Sequence, residues 1–146
     1  MGVVNWVNTG ANIHVPTWSS FLAEAALVSG NLPLAEKALT SGAEMARRNG
    51  EVFALAELQR LTGRLLLMQD RRRDAHGALA EAVATARRQG ALLYLLRAAR
   101  DLARLLAEDA DPHGARELLQ PIVDDFPEHR NGPDFMEAAE LLAGLQ

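Results

Sequence analysis

Residues 31–50 read NLPLAEKALTSGAEMARRNG, and residues 71–90, 40 positions later, read RRRDAHGALAEAVATARRQG. Ala35, Ala38 and Leu39 return as Ala75, Ala78 and Leu79, then as Ala115, Leu118 and Leu119. Gly10, Gly50 and Gly90 mark the same beat. A fixed period of this size is the mark of stacked supersecondary units, none of which can bury its apolar face alone. Three positions spaced i, i+3 and i+4 lie on one face of a helix. The period therefore predicts an all-α solenoid of helix pairs, a class of protein that works by binding.

Outward from this stretch, each unit divides into two helices at a short polar break. Pro16-Thr17 opens an apolar-periodic run through Ala23, Ala26 and Leu27, which Gly30-Asn31 ends. Asn31 is suited to cap the next helix, because its side-chain oxygen can accept an unpaired backbone N–H. That helix closes at Asn49-Gly50. A second pair is expected over about 52–69 and 72–88, closed by Gln89-Gly90, where glycine tolerates the left-handed conformation that follows a helix. The third pair covers about 92–108 and a helix opened by Asp111-Pro112 and ended by Phe126-Pro127. After a loop over 129–133, Asp134 is read as the cap of a last helix to about Leu145, with Met136, Leu141 and Leu142 covering the core edge. This gives about seven helices in one domain spanning 1–146: pairs at 16–50, 51–90 and 91–130, and a capping helix at 134–146. No sustained alternating pattern supports a strand. Gly10 shares the register of Gly50 and Gly90, so residues 3–8 read as the last turns of a truncated helix, and 1–10 as the end of an incomplete repeat of a longer protein.

Composition narrows the class of function. The chain is 49% hydrophobic over 146 residues and contains no cysteine, which excludes disulfides and thiolate metal sites. The beginning lacks the basic flank and apolar run of a secretory signal, and Trp6 stands where a myristoylation signal opening Met1-Gly2 needs Ser or Thr. With no long apolar run to span a bilayer, a cytoplasmic protein without a membrane partner is expected. The net charge of −4 is unevenly placed: 1–46 carry one base and three acids, 47–104 twelve bases and six acids, and 105–146 two bases and ten acids. Such asymmetry can steer a charged partner.

The small residues Ala23, Gly63 and Ala103, followed by Ala35, Ala75 and Ala115 and by Leu39, Leu79 and Leu119, resemble the tetratricopeptide pattern, with Pro127 where that pattern ends. The units here are about six residues longer than the usual 34, which implies longer helices. A second resemblance covers nearly the whole chain. Residues 9–18 (TGANIHVPTW), 21–25 (FLAEA), 61–67 (LTGRLLL) and 134–142 (DFMEAAELL) look like the C-terminal tetratricopeptide region of bacterial predicted ATPases, many of them fused to adenylate or guanylate cyclase domains. The likeness implies a right-handed superhelix and a sensing or transmitting role in signal transduction. No G-x4-G-K-[ST] phosphate loop occurs, so neither ATP binding nor cyclase chemistry is expected of this chain.

The resemblance also implies which residues bind. In tetratricopeptide arrays the first helices line the concave face, and the positions that point into it hold Thr17, Ser20 and Glu24, then Glu57, Arg60 and Arg64, then Arg97, Arg100 and Arg104. The spacing i, i+3, i+7 puts each trio on one stripe, away from the apolar face of Leu58, Leu61 and Leu65 or of Leu95, Leu102 and Leu106. Guanidinium groups pair bidentately with carboxylates, so the stripe suits an acidic peptide or an acidic segment of the parent protein. The same stripe also reads as a solvated face in which Glu57 and Asp101 neutralise their neighbours. The carboxylate-clamp subtype needs Asn and basic residues at the next groove position, where Phe21, Leu61 and Asp101 stand instead. The alternative function is self-association through the apolar edge around Val4, Trp6 and Val7.

Other candidates are weaker. Arg71-Arg72-Arg73 opens a helix against its dipole and suits either a phosphate contact or a solvated loop. Negative net charge and 5% aromatics disfavour nucleic acid. Asp109, Asp111 and His113, and Asp124, Asp125, Glu128 and His129, lack a recognised metal spacing and lie at helix ends, where capping explains them. The histidines are scattered, no nucleophile or acid–base set converges, and neither a cofactor nor an enzyme is expected. Trp18, Phe21 and Phe53 are expected to pack between repeats.

Overall fold

Each predicted helix pair closes through the same turn. In the computed structural model, which describes residues 14–126 and 132–145, Asn31 N–H donates to Ala26 C=O while Gly30 N–H donates to Leu27 C=O. The same two bonds recur from Arg71 to Leu66 and Asp70 to Leu67, and again from Asp111 to Leu106 and Ala110 to Ala107. Bonds of this kind satisfy carbonyls that the helix end leaves unpaired, and they require a left-handed residue at the turn. Gly30, Asp70 and Ala110 hold that place, with φ of 75°, 59° and 66°. Gly50 and Gly90 hold the corresponding place between successive pairs, with φ of 70° and 63°.

Seven α-helices result: α1 Val15–Val28, α2 Leu32–Asn49, α3 Leu55–Met68, α4 Arg72–Gln89, α5 Leu92–Glu108, α6 Pro112–Asp124 and α7 Pro133–Gly144. A 3-10 turn, Val52–Ala54, precedes α3, so the helix expected from residue 52 begins three residues late. Among the described residues there is no strand. Two of the predicted caps form: Asn31 Oδ1 accepts Leu34 N–H at 3.2 Å, and Asp111 Oδ1 accepts Gly114 N–H at 2.9 Å. At the same place in the second pair stands Arg71, whose guanidinium pairs with Asp74 at 2.8 Å.

The chain divides into two compact units, Met1–Ala78 and Leu79–Gln146, and the division falls within α4. In the first unit α1 packs on α2, and both pack on α3. The core joins Ala23, Ala26 and Leu27 of α1, Ala35, Ala38 and Leu39 of α2, and Leu58, Leu61 and Leu65 of α3. Small residues let the axes approach: a Cβ added at Gly42 would lie 2.6 Å from Ser19 Cβ and 3.2 Å from Leu58 Cδ2. Each buried leucine contributes roughly 1.5–3 kcal/mol of transfer free energy. A hydrogen bond from His14 N–H to Glu51 Oε2, 3.0 Å, ties the start of α1 to the turn before the 3-10 segment.

In the second unit α5 packs on α6 and α7, and α6 on α7. Leu95, Leu96, Leu102 and Leu105 of α5 and Leu119, Ile122 and Val123 of α6 are buried. The last helix departs from expectation in two respects. Gly132, not Asp134, is its N-cap residue, and Asp134 lies inside the first turn without capping. Its buried residues are Phe135 and Ala138, with Leu145 just beyond, while Met136 is exposed and Leu141 and Leu142 are half-buried. Phe135 takes the covering role because its ring meets Phe126 at 5.7 Å between centroids.

Candidate functional site

The arginine positions marked by the period fall on α3 and α5, and their surroundings differ within each helix. Arg60 is 2% exposed and Glu57, one turn earlier on α3, is 4% exposed. The two form a bidentate pair, Arg60 Nε to Glu57 Oε2 at 3.0 Å and Nη2 to Oε1 at 2.6 Å. A planar guanidinium suits this fork, and the second bond satisfies donors that burial would otherwise strand. Glu24 of α1 lies 3.8 Å from Arg60 and 3.7 Å from Arg64. The Arg64 side chain is about one-third exposed, and this long contact is its only ion pair among the described residues. Ser20 is buried and spends its hydroxyl on the carbonyl of Thr17 at 2.7 Å.

In the second unit Arg100 is 7% exposed and meets three carboxylates: Asp101 at 3.2 Å, Asp134 at 3.1 Å and Glu137 at 2.8 Å. Arg97, half-buried, pairs with the other oxygen of Asp134 at 2.9 Å. Asp134 thus bridges two arginines of α5, which explains why it does not cap its own helix. Arg104, one turn beyond Arg100, is exposed and makes no ion pair among the described residues. The neutralising roles expected of Glu57 and Asp101 are in place, but inside the protein and not on a solvated face. The stripe therefore has two layers in each unit, a buried compensated arginine (Arg60, Arg100) and an outward one four residues later (Arg64, Arg104).

The aromatic residues correct the sequence reading. Trp18 is 51%, Phe21 57% and Phe53 67% exposed, so none of them is packed between repeats. Trp18 and Phe21 instead touch each other edge to face at 5.9 Å on the outer side of α1. Val52 and Phe53, in the 3-10 turn before α3, share their exposure with Leu92 and Leu93 at the start of α5, 40 residues later, so an exposed apolar pair at this register is a repeated feature. Sequence reasoning missed this rim, although the apolar character of 52–53 and 92–93 at one register was the available signal.

Two shallow clefts accompany these features. One of about 280 Å³ in the first unit runs between α2 and α3 and includes Glu36, Thr40, Thr62 and Arg71; one of about 620 Å³ in the second lies between α6 and α7, beside Arg116 and Gln120. Among the described residues no group of three or more acidic or histidine side chains could hold a metal ion. Asp111 is engaged as a cap and His113 lies 3.2 Å from Glu117. Glu128 and His129, and the edge around Val4, Trp6 and Val7, lie outside the described residues. Among the described residues no helix is long and apolar enough to cross a membrane.

Against protein-family models, curated proteins and solved structures, the chain has no match.

Proposed function

We propose that this chain is a protein-interaction module whose first-helix faces receive acidic segments, with Arg64 and Arg104 making the charged contacts. The observation that carries the reading is the contrast on α5. Arg100 is surrounded by three carboxylates, whereas Arg104, one turn on, is exposed and has no ion-pair partner among the described residues. Arg64 stands in the same register of α3, held only by its long contact to Glu24. An exposed guanidinium can exchange water for a carboxylate without first breaking a buried pair, which Arg60 and Arg100 could not do.

The resemblance of residues 9–18, 21–25, 61–67 and 134–142 to the C-terminal repeats of bacterial ATPases and nucleotide cyclases supports placing the module in such a signalling protein. An acidic segment of that parent would be its ligand, bound in the cytoplasm. Fluorescence anisotropy with a labelled Glu/Asp-rich peptide tests the contacts. Arg64→Glu and Arg104→Glu should each weaken binding at the helix face that carries the residue about tenfold, since a hydrogen-bonded charged contact contributes about 1.5 kcal/mol. The double variant should abolish it with far-UV circular dichroism unchanged; undiminished binding by the folded double variant rules the contacts out.

A further inference from the structure

The outer face of α1 is apolar without a described cover. Trp18, Phe21, Leu22 and Ala25 follow the spacing i, i+3, i+4, i+7 and are all exposed, while the opposite face, with Ala23, Ala26 and Leu27, is buried in the core. A helix with apolar stripes on two opposite faces has more apolar surface than one core contact covers. No charge interrupts the outer stripe, because Glu24 lies toward Arg60 and Arg64.

The internal repeat identifies what such a face receives. Forty residues on, Trp18, Phe21 and Ala25 become Leu58, Leu61 and Leu65 of α3, each no more than 4% exposed. Those three are covered by the α1–α2 hairpin through Ala23, Ala26, Leu27, Ala35, Ala38 and Leu39. In α5 the corresponding positions, Ala98, Asp101 and Leu105, are buried as well. The face is thus closed wherever the period places it after the first repeat, and open on α1 alone. The volumes agree with a partner of small residues: α1 offers two aromatic rings where α3 offers leucines, and an alanine where α3 offers Leu65.

We propose that the Trp18–Phe21 face of α1 is a docking surface for one further helix hairpin of the α1–α2 kind, seated on the N-terminal side of α1 in the 40-residue register, with an alanine- and glycine-rich face against the two rings. The proposal extends an interface already present between α1–α2 and α3, and does not rest on acidic-ligand binding.

The register supplies its own probe. In an extended chain, residues 1–10 are replaced by a copy of residues 11–50, so that the glycine ending the copy takes the place of Gly10. The tryptophan of the copy is made Phe (Trp18→Phe in the copy only), leaving the native Trp18 as the one reporter; the reference is the full chain carrying Trp6→Phe. The expected result is a shift of Trp18 emission to shorter wavelength and a several-fold fall in acrylamide quenching. Introducing Phe21→Glu into the extended chain should reverse both. Trp18 remaining as accessible as in the reference overturns the proposal, whatever the state of the added hairpin, and so does a shift that Phe21→Glu leaves in place. Light scattering of the reference chain supplies the competing outcome. Concentration-dependent association that Phe21→Glu abolishes seats a second copy on this face and overturns the hairpin.

Discussion

At Ala110 the backbone adopts φ 66° with a Cβ present, in the position that Gly30 fills in the first hairpin. A left-handed residue bearing a Cβ costs about 1–2 kcal/mol, and glycine returns part of that through the entropy of its unfolded chain. Ala110→Gly should therefore stabilise the protein by about 0.5–1 kcal/mol, read as a higher midpoint in urea; an unchanged or lower midpoint contradicts the strain. Gly42 poses the opposite case. An added methyl meets Ser19 Cβ, an atom bound to backbone, at 2.6 Å. Overpacking of that kind costs about 1–3 kcal/mol, against a gain of up to about 1 kcal/mol from better helix propensity. Gly42→Ala should lose about 1–2 kcal/mol in the same titration, and a gain would mean that α1 and α2 separate freely. The sequence advertised Gly50 and Gly90 as helix stops because glycine announces a left-handed turn. It was silent at Ala110, where the hairpin imposes the same conformation on a residue type that does not favour it, and spoke only weakly at Asp70, since aspartate tolerates a left-handed turn less readily than glycine.

Among the elements, helix ends were the most legible, since Asn31 and Asp111 cap by chemistry local to the sequence. The attachment of α7 was not. An aspartate just before an apolar run reads equally as a cap or as an ion-pair partner, and the choice depends on Arg97 and Arg100, 37 and 34 residues away. Asp134 meets both with separate oxygens while its own side chain is 23% exposed. Removing it leaves Arg100 buried with Asp101 and Glu137 still in reach, so the loss should fall at or below the low end of the range for breaking a buried pair. Asp134→Ala is expected to cost about 2–3 kcal/mol and to raise amide exchange in α7 ahead of α5. Asp134→Asn, which keeps an acceptor oxygen, should recover part of it. If α7 exchanges as slowly in the alanine variant as in the parent, Phe135 and Ala138 hold the helix and the bridge is incidental.

At the scale of the whole molecule, the period located the arginines but could not tell which were open. Arg60 and Arg64 share a helix and a residue type; only the packing of neighbouring side chains separates the buried one from the outward one. The distribution of charge along the chain acts on the partner independently of these contacts. Residues 47–104, which carry all five arginines of the stripe, hold twelve bases and six acids, whereas 105–146 hold two bases and ten acids. An acidic ligand is attracted by the first stretch and repelled by the second, and the two terms compete over the distance that salt leaves unscreened. Salt removes the distant terms first: the Debye length falls from about 30 Å at 0.01 M to about 10 Å at 0.1 M and about 3 Å at 1 M. Raising salt from about 0.01 to 0.1 M weakens the attraction and the repulsion together, and affinity for a Glu/Asp-rich peptide should fall. Above about 0.1 M the contacts at Arg64 and Arg104 are themselves screened, and the decline should steepen. Replacing Asp124 and Asp125 by Asn, which removes two negative charges, should raise affinity more at about 0.01 M than at about 1 M. A peptide affinity that is flat from about 0.01 to 1 M, measured by anisotropy, would show that guanidinium–carboxylate attraction has no part in recognition.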